Sequence, residues 1–303
     1  MIQEKKDFLT LHFIVLIWGF TAILGLLINI PSVEVVFFRT LITAVGLWIV
    51  LKFWKRSLVI HSRKHFLVIL GTGVLIAAHW ILFFLSARIS NASVCLAGMA
   101  TCSLWTSLIE PLSQGRKIRA FEVLLSIIAF IGIGVIFNVE IDYLSGLLTA
   151  VLSAFIASVF TVINGRLTKT YDPYVITFYE MVGACVATVL FFPIYTGFFV
   201  DTLVLNPTPE DWFYLSVLAI VCTVYAYSIS VELMKRLSAF SINLVVNLEP
   251  VYGIVLALII FGDSEEMSPG FYLGTFLILT SVLLYPLLNR RYKKKALSTD
   301  IIR

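Results

Sequence analysis

The sequence predicts an all-α polytopic membrane protein with ten transmembrane helices, arranged as two inverted five-helix repeats with the N- and C-termini in the cytoplasm. Three observations lead to this prediction. The chain of 303 residues is 60% hydrophobic and only 13% charged, a composition that ordinary soluble domains do not have. Its apolar residues fall into ten long runs, and a shift of 147 residues aligns segments of its two halves.

Each apolar run is long enough to cross a bilayer. A hydrocarbon core about 30 Å thick needs about 20 apolar residues in a helix, and the mean hydropathy of the chain is +0.99. The runs are too long for barrel strands and leave no room for a sizeable soluble domain. They cover residues 8–30, 33–52, 66–86, 92–112, 120–139, 143–165, 174–194, 212–233, 240–261 and 269–288.

The distribution of charge predicts the orientation. With the N-terminus inside, the cytoplasmic segments contain 20 of the 22 Lys and Arg residues, Arg116 and Arg303 among them, while Arg88 falls in an outside loop and Arg39 within a span. An excess of basic residues marks the cytoplasmic side, and it accounts for the net charge of +4 without a nucleic-acid partner. Membrane lipids are the expected partners of the basic tail. The outside loops carry Glu140, Asp142, Asp201, Glu210, Asp211, Asp263, Glu265 and Glu266.

Neither a cleaved leader nor a cofactor is predicted. The first apolar run is longer than a signal h-region and lacks a small-residue cleavage site, so we expect it to remain as a span. The four cysteines lie inside predicted spans without a CxxC pair or nearby histidines, which favours packing over a disulfide or metal site.

An internal duplication is indicated by the shift of 147 residues. It places "AHWILFFLSARISNAS" (78–93) over "YAYSISVELMKRLSAF" (225–240) and Gly115 over Gly262. Because each half has five spans, the second half would enter the membrane from the opposite side. The charges agree, since "RKIR" follows Gly115 and "DSEE" follows Gly262, as expected when the two loops face opposite sides.

With these features the chain resembles the EamA family of the drug/metabolite transporter superfamily. The resemblance rests on "IWGF" in the first span, "VVFFRT" in the second, and "NLEPVYGIVLALIIFGD" followed by "LGTFLILTSVLLY" near the end. It implies EamA-like repeats at residues 1–139 and 140–290, followed by a basic cytoplasmic tail at 291–303. The first half departs from the pattern, because Ser103 stands where Pro250 stands in the second.

Ionisable residues within the predicted spans are candidates for function, because charge at bilayer depth is costly unless it is paired or solvated. They are Arg39, His79, Glu180 and Glu249. At about 1.5 Å per residue, the depths of Arg39 and Glu249 differ by only about 6 Å, so both side chains can reach one central cavity. For each residue a structural role stays open: Arg39 as a cap for carbonyls, and the others as hydrogen-bonding residues between helices.

Polar and aromatic neighbours extend this set. Asn243 and Asn247 lie one helical turn apart before Glu249 and Pro250, either toward a cavity or as packing contacts between helices. Pro250 is expected to kink the ninth helix or to free a carbonyl. Five deep aromatic residues line a cavity or pack in the core: Trp18, Trp80, Tyr225, Tyr227 and Tyr252.

These residues favour a secondary transporter of a small metabolite. No GxxxxGK[ST] loop is present, so a P-loop of its own does not drive the transport. The family resemblance implies substrates such as amino acids, other metabolites or drugs, often exported across the bacterial inner membrane. An amphipathic zwitterion would suit Arg39 as a carboxylate ligand and Glu249 or Glu180 as a site for an ammonium group or a proton. The alternatives are a membrane-embedded enzyme, for which no HExxH or GxSxG motif is present, and a scaffold or receptor that transports nothing.

Overall fold

The described part of the chain is entirely helical. The computed structural model describes residues 2–115, 117–139 and 141–301, and these contain no strand. Eight helical stretches are long and apolar enough to cross a membrane, which confirms the all-α polytopic class. They are Lys5–Leu27, Ser32–Phe53, Arg63–Ile89, Ala92–Ser113, Leu144–Leu167, Pro173–Phe198, Pro209–Leu233 and Ala239–Phe261.

Several of these stretches consist of more than one helix. The α-helices are α1 (Ile2–Trp18), α2 (Thr21–Leu27), α3 (Ser32–Phe53), α4 (Arg63–Ile89), α5 (Ala92–Met99), α6 (Cys102–Ser113), α7 (Ala120–Val139), α8 (Leu144–Leu167), α9 (Pro173–Phe198), α10 (Pro209–Ser216), α11 (Ser228–Leu233), α12 (Ala239–Val246), α13 (Glu249–Phe261) and α14 (Pro269–Ile301). A π-helical segment, Val217–Tyr227, joins α10 to α11. Short 3₁₀ turns cover Ile141–Tyr143 and Gly262–Glu265.

Helices α7 and α14 cover the fifth and tenth apolar runs and pack against each other. Their closest approach is at two glycines: a Cβ atom added to Gly132 would lie 2.7 Å from the Gly274 carbonyl oxygen. Only glycine allows backbones to come this close, as in small-residue contacts between membrane helices. Helix α14 continues to Ile301 and includes the first residues of the predicted basic tail.

Three spans are interrupted near their middle. The breaks lie between α1 and α2, between α5 and α6, and between α12 and α13. Pro250 lies in the first turn of α13, where an N–H would have no acceptor within that helix. The α5–α6 break forms without a proline, and there the Thr101 hydroxyl donates to the Gly98 carbonyl at 2.8 Å.

The two later breaks occupy equivalent positions in the sequence. Ala239 begins α12 and lies 147 residues after Ala92, which begins α5; Glu249 begins α13 and lies 147 residues after Cys102, which begins α6. The broken helices also cross, with α5 against α13 and α12 against α6.

Contacts across this crossing also correspond. Asn243 Nδ2 donates to Thr106 Oγ1 at 2.7 Å. The positions 147 residues away are Leu96 and Gly253, and Leu96 fills the space beside the Gly253 backbone. One half of the crossing is therefore polar where the other is apolar.

The loops gather at two ends of the bundle. We call the end where α1 begins the basic end; there Arg236 contacts Asp7, and Arg56 contacts Asp172. We call the opposite end the acidic end; there the Asp211 carboxylate accepts a hydrogen bond from the backbone N–H of Asn29 at 2.7 Å. Three residues used for the orientation, Arg116, Glu140 and Arg303, lie outside the described residues.

Arg88 corrects one expectation. It lies in the last turn of α4 rather than in a loop. Its Nη2 donates to the carbonyl oxygens of Gly25 (3.1 Å) and Ile28 (2.9 Å), at the end of α2. A guanidinium is a good donor to the last carbonyls of a helix. Arg88 therefore caps α2 at the acidic end, and its position has a structural reason that is independent of the orientation.

Large apolar side chains cover the outside of the bundle. Among the most exposed are Phe53 (84%), Phe198 (82%) and Ile259 (74%). Such exposure is unfavourable in water but suits the hydrocarbon of a bilayer.

Candidate functional site

A cavity of about 90 Å³ lies among the broken helices. Its wall is formed by α1, α2, α3, α4, α5, α6, α8, α11, α12 and α13 and by the π-helical segment. Seven of the residues predicted as candidates line it: Trp18, Arg39, His79, Trp80, Tyr227, Asn243 and Glu249. The structure thus brings Arg39 and Glu249 to one cavity, as their depths suggested.

Arg39 is the cation of this cavity, and only 3% of its surface is exposed. Its Nε donates to Thr223 Oγ1 at 2.9 Å, and its Cζ lies 3.7 Å from the centre of the Trp80 ring. Both contacts hold the guanidinium in place. Among the described residues it forms no ion pair, and no protein group accepts from Nη1 or Nη2, so this edge is available to an anionic ligand.

Thr223 reaches Arg39 because the chain is π-helical there. Its hydroxyl also donates to the carbonyl of Leu218, five residues earlier, at 2.8 Å. Single turns of π-helix often occur at functional sites. Thr223 was not among the predicted site residues, because a hydroxyl in an apolar run is common and carries no signal of its own.

His79 is fixed by Ser153 of α8. Its Nδ1 lies 2.7 Å from Ser153 Oγ and 3.1 Å from the Ser153 carbonyl oxygen, and Ser153 Oγ donates to the His79 carbonyl at 2.8 Å. Because the Ser153 hydroxyl donates its hydrogen to the His79 carbonyl, Ser153 Oγ and the Ser153 carbonyl oxygen can only accept from Nδ1. The ring hydrogen is therefore assigned to Nδ1. The other ring nitrogen, Nε2, is then an acceptor in the neutral imidazole.

Glu249 is the carboxylate of the cavity and is 7% exposed. It begins α13, so the positive end of the helix dipole favours its charge. Thr21 Oγ1 lies 3.4 Å from Glu249 Oε1 but already donates to the Trp18 carbonyl at 2.6 Å. Glu249 therefore has no short hydrogen bond among the described residues and can receive a donor from a ligand.

Aromatic side chains form much of the wall. Trp80 and Tyr227 meet edge to face at 6.2 Å, and Trp18 Nε1 donates to the Cys222 carbonyl at 3.0 Å. The other two predicted aromatic residues do not line the cavity. Tyr225 is 44% exposed and packs against Phe13 on the outside, and Tyr252 packs beside Gly19.

The break before Glu249 leaves one backbone carbonyl without its helical donor. Because Pro250 has no N–H, the carbonyl of Val246, four residues earlier, lacks its helical donor. Val246 lines the cavity. Asn247, in contrast, lies behind the wall and donates through Nδ2 to Ser103 Oγ of α6.

Glu180 also lies behind the wall, and Tyr227 connects it to the cavity. The Tyr227 hydroxyl donates to Glu180 Oε2 at 3.2 Å and accepts from Asn164 Nδ2 at 3.1 Å. Asn164 was not among the predicted site residues, since a single amide in α8 has no distinctive spacing.

A second cleft, between α4 and α9, is larger at about 850 Å³. Its wall is almost entirely apolar, and its two hydroxyls are occupied: Tyr179 donates to the Leu58 carbonyl at 2.9 Å and Thr188 to the Ala184 carbonyl at 2.8 Å. It therefore lacks the convergent polar groups of a solute site.

A metal site is not indicated within the described ranges. They contain no group of three or more His, Cys, Asp or Glu residues that could hold an ion. The four cysteines are free thiols, three of them buried.

Comparison with known proteins finds a family match in the second half of the chain. Residues 144–286 match the EamA-like transporter family. They form an EamA-like transporter domain. The resemblance found in the sequence is confirmed there, and the EamA-like domain contains Glu180, Tyr227 and the break before Glu249. Together with the eight apolar helices, it makes the chain an integral, multi-pass membrane protein.

Similarity extends beyond the EamA-like domain. A Bacillus subtilis (strain 168) protein described as uncharacterized transporter YxxF is 25% identical over 248 residues, which cover 79% of this chain and 76% of that protein. A solved crystal structure of a protein superposes with a TM-score of 0.68 at 17% identity and covers 95% of this chain and 99% of the other. The latter similarity concerns the fold.

Proposed function

We propose that this protein is a secondary transporter that exports a small amphipathic metabolite, such as an amino acid or a related zwitterion, in exchange for protons. Transport would proceed by alternating access of two inverted five-helix halves. The proposal includes ten spans, α7 and α14 among them, both termini in the cytoplasm, and the bacterial inner membrane as the location.

The observation that carries the proposal is that Arg39 and Glu249 line the same aromatic cavity. The two groups have opposite charge, yet they form no ion pair within 4.0 Å among the described residues. A zwitterion offers each of them its missing partner, with the carboxylate at Arg39 and the ammonium at Glu249. Trp80 and Tyr227 would then enclose an apolar side chain.

The corresponding breaks support the two inverted halves. Both later breaks begin a helix, α6 or α13, at the cavity. Transporters built from inverted repeats place such half-helices around the substrate. The two sides of the crossing differ in chemistry: Asn243 donates a hydrogen bond to Thr106, whereas Leu96 packs against Gly253. We therefore expect the two contacts to differ in free energy.

The volume of the cavity supports a small substrate. Pockets for drug-sized ligands usually measure about 300–1,000 Å³, whereas this cavity measures about 90 Å³. A metabolite of amino-acid size would still require outward movement of the wall, as expected for a site that opens alternately to each side.

The proposal is tested by counterflow in proteoliposomes with radiolabelled amino acids, nucleobases and sugars. We expect exchange of at least one amino acid carrying an apolar side chain. Arg39→Lys should weaken its binding on the order of tenfold, about 1.4 kcal/mol, because lysine lacks the planar fork. Glu249→Gln should weaken binding of the zwitterion but not of an analogue without the ammonium group.

Two exposed substitutions serve as matched controls. Arg63→Gln and Glu210→Gln remove one charge each from exposed positions and should leave exchange unchanged. If the protein binds an amino acid but catalyses no exchange under any gradient, it is not a transporter. Unchanged affinity in Arg39→Lys would remove Arg39 from the substrate site.

A further inference from the structure

Three buried side chains form a polar cluster behind the cavity wall. Glu180 of α9 and Asn164 of α8 are 0% exposed, and Tyr227 is 7% exposed. Asn164 Nδ2 donates to the Tyr227 hydroxyl, and this hydroxyl donates to Glu180 Oε2. The cluster therefore connects three elements with the cavity, which Tyr227 lines.

Two oxygen atoms of the cluster have no donor. Glu180 Oε1 and Asn164 Oδ1 are both buried without a hydrogen-bond partner. A buried acceptor without a donor costs about 1–3 kcal/mol, and a buried carboxylate with a single hydrogen bond costs more. The cluster thus has more acceptors than donors, and its charge is not balanced by a cation.

The charged groups on the elements around α9 do not supply that balance. Helix α3 contributes Arg39, and α4 contributes His79; neither forms an ion pair with Glu180 among the described residues. Helix α11 contributes Glu232, another acid, which accepts from the Tyr174 hydroxyl at 3.0 Å. The remaining titratable neighbour is Tyr227 itself.

We propose that Glu180 is the proton-coupling site of the transporter and carries an exchangeable proton. A proton on Glu180 Oε1, the oxygen without a partner, removes the buried charge and adds a donor to a cluster that has too few. The hydrogen bonds from Asn164 to the Tyr227 hydroxyl and from this hydroxyl to Glu180 Oε2 stay in place.

Tyr227 links this proton to the substrate. Its ring lines the cavity beside Trp80, and its hydroxyl contacts Glu180. A ligand that moves the ring changes the hydrogen bonding of Glu180 directly. The ammonium group of a substrate bound at Glu249 enters the cavity that Tyr227 lines, and its positive charge favours the ionised form of Glu180 behind that wall. Substrate binding would therefore release the proton, and proton binding would release the substrate. This inference rests on the proposed transport function and assigns its coupling group.

Infrared spectroscopy tests the proton without requiring transport. Purified protein in lipid should show the C=O stretch of a protonated, buried carboxyl group at neutral pH. Glu180→Gln should remove this band, while the exposed control Glu210→Gln should keep it. Glu180→Gln should also fold, because the amide supplies a permanent donor and acceptor. A band of unchanged intensity in Glu180→Gln overturns the inference, as does a wild-type protein with no such band.

Transport separates the coupling role from a structural one. With radiolabelled leucine and phenylalanine as probes, Glu180→Gln should bind both more weakly, because its amide resembles the protonated carboxyl group. At saturating probe concentration it should still catalyse counterflow but lose accumulation driven by a pH gradient. Tyr227→Phe should reduce this accumulation at least tenfold, and the outward-facing Tyr225→Phe is the matched control. Retained pH-driven accumulation in Glu180→Gln, or wild-type accumulation driven by sodium instead, overturns the inference. Absent counterflow in the wild type contradicts the transport function itself, whatever the infrared result.

Discussion

Arg236 holds the Asp7 carboxylate with two hydrogen bonds, Nε to Oδ2 at 2.7 Å and Nη2 to Oδ1 at 2.9 Å. This pair joins the start of α1 to the segment between α11 and α12 and thus fastens the basic end of the bundle. Bidentate pairs of this kind have defined geometry as well as charge. The bond to Asp7 raises the pKa of Arg236. Its stabilising contribution is complete below the usual pKa of arginine and is lost only as the pH rises through the raised value.

We expect Arg236→Gln to destabilise the protein by about 1–2 kcal/mol, because Asp7 is buried but Arg236 is 40% exposed. The basic end should also open more often. The native thiols Cys102 and Cys222, which line the cavity, should then react faster with a water-soluble thiol reagent added from that side.

The control for this prediction is Arg56→Gln, which breaks the more exposed pair with Asp172 at 3.2 Å. It should change stability by less than about 1 kcal/mol and leave thiol labelling unchanged. Equal labelling rates for Arg236→Gln and the wild type would show that the Asp7 pair does not close the basic end.

Much of the fold follows from composition, because a bilayer allows helices little freedom. The predicted fifth run, residues 120–139, coincides with α7, and charge placement grouped loops that contact one another at the basic end. The breaks were harder to predict. Pro250 signalled one, but the α5–α6 break has no proline and follows from packing and hydroxyl hydrogen bonds that a single sequence does not reveal.

Prediction of the site was limited by helix rotation. Ionisable residues at bilayer depth are rare, and this alone identified Arg39, His79 and Glu249, which all line the cavity. Which aromatic residues face inward depends on a rotation that spacing leaves open. Tyr225 and Tyr227 are two positions apart on the π-helical segment, and only Tyr227 lines the cavity.

The crossing of α4 and α9 provides a stability prediction. A Cβ atom on Gly73 would collide with the Glu180 carbonyl and lie 2.8 Å from the Ala184 amide nitrogen. Backbone atoms cannot move aside cheaply, so Gly73→Ala should cost about 1–3 kcal/mol. Unfolding in mixed detergent measures this cost.

Gly71 offers a matched control on the same helix. A Cβ atom there would meet no atom within 4 Å, so Gly71→Ala should be neutral or stabilise the protein by up to about 1 kcal/mol through helix propensity. A loss of stability of similar size in both variants would mean that α4 and α9 do not meet at Gly73.

The Asn243–Thr106 bond predicts energetic coupling across the broken helices. In a double-mutant cycle with Asn243→Ala and Thr106→Ala, we expect an interaction of about 0.6 kcal/mol and at most about 1.7 kcal/mol, the range for hydrogen bonds between membrane helices. Thr149 is the control, because its hydroxyl bonds to the Ser145 carbonyl of its own helix at 2.6 Å. Asn243→Ala and Thr149→Ala should be additive, and additivity of the first pair would argue against the bond.

Pro250 can be separated into an effect on the helix break and an effect on the cavity. The break between α5 and α6 occurs with Ser103 at the corresponding position, so Pro250→Ala should keep the break between α12 and α13. Stability should change by less than about 1 kcal/mol, since proline in the first turn removes no hydrogen bond within α13. The new N–H would, however, offer a donor to the carbonyl of Val246, a residue that lines the cavity. Substrate affinity in a binding assay should therefore fall, by less than about tenfold.

The control is Pro173→Ala, at the start of α9 and away from the cavity. It should match the stability change without the loss of affinity. Should Pro250→Ala bind substrate as tightly as the wild type, the Val246 carbonyl takes no part in binding, and the proline serves only the start of α13.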